Sequence, residues 1–263
     1  MINIVILAAG MGKRMHSDLP KVLHKLAGKP LVSYVIATAR ELLSDKLCVV
    51  YGHGGEQVPT QLAAPDIQFI KQEFQLGTGH AVQQALPFLN EALPTLILFG
   101  DVPLFKLSSL QKIIAAAGRE KLGIITFNAM DMVGYGHIVR ENGKPDGNIL
   151  AIVEHKDATA EQRAISEVNT GIMVAPTIKL KQWLSALSNN NAQNEYYLTE
   201  VIAKAVEDNV EIIATQSEFW ETIGVNNKKD LTELERFYQR NLGEALLEKG
   251  VTLMDSRRID IRG

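Results

Sequence analysis

A single cysteine, Cys48, stands in the 263 residues, which excludes an internal disulfide. It lies in the apolar run Leu47-Cys48-Val49-Val50, where a buried, inert thiol is expected and not a nucleophile. No apolar stretch approaches the ~20 residues of a membrane span, so no stable membrane association is expected. Basic residues do not predominate: 27 Lys and Arg face 30 Asp and Glu, for a formal charge of −3. Nucleic-acid binding usually needs a strongly basic face, so no nucleic-acid partner is expected. The first apolar run, residues 4–9, is too short for a secretory signal, and Gly-Lys-Arg follows it instead of preceding it. A reducing cytoplasm is the expected location. A nucleophile elbow and a Ser/His/Asp pattern are also missing, and the 6 histidines show no zinc-ligand spacing.

What is present concentrates near the start. Ile4-Val5-Ile6-Leu7-Ala8-Ala9 does not alternate, which predicts a strand buried on both faces. It runs into Gly10-Met11-Gly12-Lys13-Arg14, and Lys21, Lys25 and Lys29 follow against one acid, Asp18. Glycines let backbone N–H groups approach an anion, and the cations neutralise it. The positive charge is therefore local and suits a small polyanionic ligand.

Strand signals at 4–8, 47–51, 67–71, 95–99 and 123–127 alternate with helical patterns at 31–43, 56–63, 79–86 and 108–119. Alternating βα units predict an α/β fold, a Rossmann-like, doubly wound, mainly parallel sheet. Ligands on such sheets bind beyond the carboxyl ends of the strands, where 10–14 and Gly100-Asp101 both fall. After about residue 130, short strands at 137–140, 149–153 and 168–175 are separated by polar turns, which predicts a smaller mixed lobe. Helices are expected at 178–187, 198–207 and 228–249. The last has Leu231, Leu234, Phe237, Leu242, Leu246 and Leu247 as its apolar stripe. Residues 251–263 have strand character.

The glycine loop fits neither common nucleotide fingerprint. G-x-G-x-x-G needs a third glycine where Met15 stands, and an acid closing the second strand, which ends Tyr51-Gly52-His53. G-x-x-x-x-G-K-[ST] does not occur. What remains is G-x-G-x-R with Pro20-Lys21 downstream.

Together with later segments, this element resembles the sugar-phosphate nucleotidylyltransferases. Gln72-Glu73-Phe74-Gln75-Leu76-Gly77-Thr78-Gly79-His80-Ala81, Gly100-Asp101-Val102-Pro103-Leu104, Gly134-Tyr135-Gly136, Val153-Glu154-His155-Lys156-Asp157-Ala158, Asn169-Thr170-Gly171, the run 189–199 and Gly224-Val225-Asn226-Asn227 follow in order. That series is similar to the bacterial N-acetylglucosamine-1-phosphate uridylyltransferases, over essentially the whole chain. In that family the domain is the N-terminal half of a bifunctional enzyme whose other half is a left-handed β-helix acetyltransferase.

The resemblance implies the nucleotide-diphospho-sugar transferase fold and the conversion of UTP and N-acetylglucosamine 1-phosphate into UDP-N-acetylglucosamine and pyrophosphate, with Mg²⁺. It implies electrostatic catalysis by Arg14 and Lys21. Leu7, Ala8, Ala9 and Gly10 would contact uracil and ribose, with Gln72, Gly77 and Thr78 completing the nucleotide site. Phe99, Gly100, Asp101, Gly136, Glu154, Asn169 and Asn226 would contact the sugar side, with Asp101 and Asn226 as metal ligands. Plainer roles stand beside these: a turn for Asp101, a helix N-cap for Asn226, a strand end for Gln72 and an N-cap for Gly77-Thr78. Lys13 replaces the family's usual threonine, Phe99 replaces a tyrosine, and the turn 143–148 looks longer.

By the same resemblance, residues 1–227 form the uridylyltransferase domain, divided near 130/131 into nucleotide-binding and sugar-binding parts. Residues 228–250 are a linker helix, and 251–263 begin a truncated β-helix through which the longer parent would form a homotrimer. Its product would serve peptidoglycan and lipopolysaccharide precursor synthesis. A nucleotidylyltransferase for another sugar phosphate or base, and a catalytically silent nucleotide-sensing or scaffold domain, are the competing readings.

Overall fold

A computed structural model describes residues 1–52, 54–129 and 134–262. His53, the 130/131 boundary and Gly263 therefore lie outside the described residues. In chain order the elements begin with β1 (Asn3–Ala8), the hairpin β2 (Lys25–Leu26) and β3 (Lys29–Pro30), α1 (Leu31–Glu41), β4 (Lys46–Gly52) and α2 (Gln57–Leu62). Next come β5 (Gln68–Gln72), α3 (Thr78–Ala85), β6 (Pro94–Phe99), α4 (Leu107–Ala117) and β7 (Leu122–Asn128). Then follow β8 (His137–Arg140), β9 (Ile149–Val153), α5 (Ala160–Arg163), β10 (Glu167–Pro176) and α6 (Thr177–Ser185). The last are α7 (Val201–Glu207), β11 (Ile212–Gln216) and α8 (Lys228–Glu248).

One sheet carries the order β11-β7-β10-β6-β1-β4-β5, with β8 attached to β10 and β9 to β8. β1 pairs in parallel with β4 and β6, as does β4 with β5 and β11 with β7. β10 runs antiparallel between β6 and β7, and β8 and β9 are antiparallel too. The mixed character expected after residue 130 is present, but β10 and β11 belong to the main sheet.

Strand alternation distributes the core to both faces. From β1, Val5 and Leu7 join the cluster under α3, α6 and α7, while Ile4, Ile6 and Ala8 join the cluster under α1 and α4. β1 is buried along its whole length, as a central strand covered on both faces must be. A smaller third cluster holds Met15, Leu26, Leu31, Val225 and Leu234. It fastens the segment after β1 and the hairpin to α8.

Two expectations are corrected at the C-terminal side. On α8 the buried residues are Leu234, Gln239 and Gly243, while Leu247 is exposed. Leu234 faces the third cluster, while Gln239 and Gly243 face residues 251–262, which contain a 3-10 turn at Ser256–Arg258 and no strand. Gln239 supplies the pairing a strand partner would give: its Oε1 accepts from Ile261 N at 2.7 Å and its Nε2 donates to Ile261 O at 2.9 Å. Gly243 leaves room for Ile259, whose Cγ2 would lie 3.4 Å from an added Cβ.

Candidate active site

The carboxyl ends of β1 and β6 open onto one place. After β1 the chain turns through Gly12, at φ 59°, into a 3-10 turn at Lys13–Met15. Gly12 is needed twice over, because a Cβ there would also sit 2.9 Å from Lys21 Cβ. The stem of Lys21 thus lies against the glycine loop. Met15, where a dinucleotide fingerprint has its third glycine, is wholly buried in the third cluster. It pins the turn and leaves Arg14 exposed above it.

Four of the expected residues meet there. Arg14 Nη2 donates to Asn226 Oδ1 at 3.0 Å. Lys21 Nζ approaches the same Oδ1 at 3.4 Å and pairs with the Asp101 carboxylate. Lys21 and Asp101 side chains are both only about one-sixth exposed, 14% and 16%. Asp101 holds Asn226 in place through its backbone, since Val225 N donates to Asp101 O at 3.0 Å.

The two asparagines before α8 divide their work. Asn227 is the N-cap: its Oδ1 accepts from Lys229 N at 2.8 Å and Asp230 N at 3.0 Å, and the Asp230 carboxylate accepts from the N–H groups of Asn226 and Asn227. With the cap satisfied by its neighbour, the Asn226 side chain faces the two cations. Its expected N-cap role is taken by Asn227.

A second group lies at the end of β5. Gln72 is 2% exposed; its Nε2 donates to Gly77 O at 3.1 Å and lies 2.9 Å from His80 Nδ1. Gly77, at φ 109°, precedes α3, and a Cβ there would meet Tyr196 O at 2.6 Å. The Thr78 hydroxyl accepts from Leu198 N at 3.1 Å, so Thr78 also braces the loop. Gln75 Nε2 donates to Ala9 O at 2.8 Å, and Gly100 N donates to Leu7 O at 2.9 Å. Of the segment Leu7, Ala8, Ala9 and Gly10, two carbonyls are therefore engaged within the protein. Ala8 sits in the ladder opposite Tyr51, and Gly10 is exposed with open space around it.

The residues expected on the sugar side also assemble. Gly136 O accepts from Asn169 N at 2.8 Å, and a Cβ on Gly136 would lie 3.7 Å from Glu154 Oε1. Glu154 Oε1 accepts from the Thr199 hydroxyl at 2.9 Å. Burial pushes the Glu154 carboxyl above its usual range, against the smaller pull of the Thr199 bond. Asn169 Oδ1 is buried with no hydrogen-bond partner among the described residues, an acceptor suited to a ligand donor. Phe99 lies over Gly171, where an added Cβ would meet its Cε2 at 2.5 Å. Burial, and secondarily the Asp101 charge, hold the Tyr135 phenol above its ordinary range.

Met15, Gln75, His80 and Thr199 were not singled out from the sequence. The last three stand inside the matched segments; Met15 carried only the negative signal of a missing glycine. The arrangement can hold phosphates on Arg14 and Lys21, and its donors and acceptors at Gln72, Glu154 and Asn169 flank that place.

The described fold matches solved nucleotide-sugar enzymes. A UDP-glucose pyrophosphorylase complexed with UDP-glucose superposes with TM-score 0.75 at 17% identity, covering 92% of this chain and 100% of that one. A UDP-glucose pyrophosphorylase from Acinetobacter baumanii gives 0.71 at 19% identity, covering 95% and 100%. The chain thus has the nucleotide-sugar transferase α/β fold. In sequence it is 62% identical to the bifunctional protein GlmU of Janthinobacterium sp. (strain Marseille) and 61% identical to that of Herminiimonas arsenicoxydans, over 263 residues in each case. Those matches cover 100% of this chain and 57% of each relative, so the chain spans little more than half their length. The model of the MobA-like NTP transferase domain matches residues 4–167, most of the chain, and the protein belongs to that family.

Proposed function

We propose that this chain transfers a uridylyl group from UTP to N-acetylglucosamine 1-phosphate, releasing pyrophosphate. The observation that carries the reading is the convergence of Arg14, Lys21, Asp101 and Asn226 beyond the ends of β1 and β6. The resemblance of the matched segments and the relatives named GlmU supply the base and the sugar.

In this reading a phosphate oxygen of the sugar phosphate attacks the α-phosphorus of UTP in line. The bond from that phosphorus to the bridging oxygen of the β-phosphate breaks, and pyrophosphate leaves. Both reactants are anions, so the enzyme's work is positioning and charge neutralisation, with no protein nucleophile. Arg14 and Lys21 neutralise the phosphates. Asp101 and Asn226 hold Lys21 from the opposite side and set where its ammonium lies. Glu154, Asn169 and the backbone of Gly136 would take sugar hydroxyls and the N-acetyl group. Gln72, with the loop at Gly77-Thr78, would read the base, and the segment Leu7–Gly10 would line the ribose side.

Asp101 and Asn226 also suit a divalent cation. Their oxygens already converge on one positive charge, the Lys21 ammonium, and a carboxylate with a neutral carbonyl oxygen is a hard donor pair. Among the described residues no group of three or more His, Cys, Asp or Glu could hold a metal, so Mg²⁺ would take its other ligands from phosphate and water. When bound it would supply charge neutralisation to the triphosphate. The proposal extends to a longer, cytoplasmic parent protein that is also a glucosamine-1-phosphate N-acetyltransferase, trimeric through its β-helix and serving cell-wall precursor synthesis.

Pyrophosphate release with paired substrates tests the reading. UTP is expected to be preferred over dTTP, and N-acetylglucosamine 1-phosphate over glucose 1-phosphate, with activity lost on chelation of divalent metal. A preference for glucose 1-phosphate, or no turnover at all, would overturn it.

A further inference from the structure

We infer that His80 is a positioning residue that locks the amide of Gln72 so that its oxygen faces the bound base, which selects a pyrimidine carrying a hydrogen on N3. This rests on the nucleotidyl-transfer reading and deepens it, since it names the group that decides the base.

The orientation of a glutamine amide is decided by its partners. The Gly77 carbonyl can only accept, so the 3.1 Å contact from Gln72 must come from the amide nitrogen. The second hydrogen of that nitrogen points to His80 Nδ1, 2.9 Å away. Both donors of the amide are thereby spent within the protein, and Oε1, an acceptor only, is what remains for a ligand. Uracil presents an N3–H donor to such an oxygen, and so does thymine. Cytosine presents a lone pair at N3, and two acceptors face each other.

His80 is what makes the choice firm. Gly77 O alone would hold the amide by one hydrogen bond, and a half-turn about its last bond would then cost only that bond. With Nδ1 as a second acceptor the half-turn loses both bonds. The ring is fixed by its place on α3 and by a tilted contact with Tyr196, with centroids 6.4 Å apart. In that tautomer the proton sits on Nε2, 3.2 Å from Gln84 Nε2, and the Gln84 amide offers its oxygen to the ring only by giving up its long 3.3 Å bond to His80 O. Burial holds the His80 imidazole below its ordinary pKa, against a smaller pull from the Phe74 carbonyl, and this favours the neutral ring, which alone has a nitrogen able to accept.

The test compares His80→Leu with His80→Asn. Asparagine can place Oδ1 where Nδ1 lies and so keeps the acceptor; leucine keeps bulk without it. For each, kcat and KM are measured with UTP, dTTP and CTP, and thermal melting reports folding. In His80→Leu the preference for UTP over CTP is expected to fall about tenfold, the worth of one hydrogen bond, mostly through KM. The UTP-to-dTTP ratio stays as in wild type, because both bases carry N3–H. His80→Asn is expected to retain most of the discrimination. Equal loss in both variants, or loss spread evenly over the three nucleotides, would show a packing role and overturn the inference. The unmodified protein is the control: if it turns over no UTP, the functional reading itself fails.

Discussion

Asn226 accepts a hydrogen bond from Arg14 across 212 positions of sequence, and their chain neighbours Val225 and Met15 are packed in the same buried cluster beneath. The effect of that cluster is geometric: it brings the turn after β1 and the segment before α8 to one place, so that their polar residues meet above it.

Met15→Ala should therefore harm the site from below. Removing a fully buried methionine costs about 2–5 kcal/mol when the surroundings relax only partly. The variant is expected to show that loss in urea denaturation. It should also show reduced kcat at a temperature where it remains folded, because Arg14 rides on the same turn. Loss of stability with unchanged kcat would mean that the cluster does not position Arg14.

The two asparagines before α8 should separate cleanly. Asn227→Ala removes an acceptor serving two backbone N–H groups, at a cost of about 1 kcal/mol in stability. Turnover should stay close to that of the unchanged protein. Asn226→Ala should leave melting nearly unchanged and remove most turnover. The reverse pattern would exchange their roles.

Arg14→Ala and Asp101→Ala test the neutralising cluster. Each is expected to lower turnover by at least about 10²-fold, the usual scale for losing one preorganised electrostatic contact in a transition state. Circular dichroism should show both folded, since Arg14 is exposed and Asp101 is partly so. Near-normal turnover in either would remove that residue from the mechanism.

Much of this arrangement was legible because it is local. β1 reads as a buried strand from its unbroken apolar run, and glycines with basic residues mark the turn that follows. The helices were placed to within a few residues by their periodicity. β11 escaped notice because Ile212–Gln216 is short and only half-buried, with no alternation to betray it. The hairpin β2–β3 is too short for any period to show. The third cluster joins residues far apart in sequence, and nothing near Met15 announces Val225 as its neighbour. The strand expected at 251–263 had the right composition, but residues 251–262 pair with no strand, and the Gln239 side chain bonds the backbone of Ile261 instead. Which of two adjacent asparagines caps a helix depends on one residue of register. The amide direction of Gln72 depends on a partner that folding supplies.

Gly171 is where β10 shifts register between Asn169 and Met173, at φ 88°. Alanine there would be strained by that backbone angle and would also collide with the Phe99 ring. Gly171→Ala is expected to lower the melting temperature and to raise KM for the sugar phosphate, because Asn169 lies within the same irregular stretch. An unchanged KM would detach the bulge from the sugar side.

Glu154 gives a prediction in which stability and activity move in opposite directions. Its carboxyl has a folded-state pKa raised chiefly by burial, with the Thr199 hydroxyl pulling the other way. A carboxyl raised in this way favours the folded state below its unfolded pKa, about 4.3. That advantage is lost as the pH climbs through the folded value, because the native protein must then hold a buried charge that the unfolded chain gives to water. Glu154→Gln keeps an oxygen for the Thr199 hydroxyl and removes the charge. The variant is therefore expected to melt at a higher temperature than wild type at pH 7, and at the same temperature below about pH 4, where the wild-type carboxyl is neutral in both states. Its KM for N-acetylglucosamine 1-phosphate should rise, since a carboxylate accepts from sugar hydroxyls more strongly than an amide does. Melting curves across pH beside substrate titrations at pH 7 would check both halves. A variant that is less stable at neutral pH would mean that the ionised carboxylate is compensated in the folded protein, and a variant with unchanged KM would mean that Glu154 does not touch the sugar.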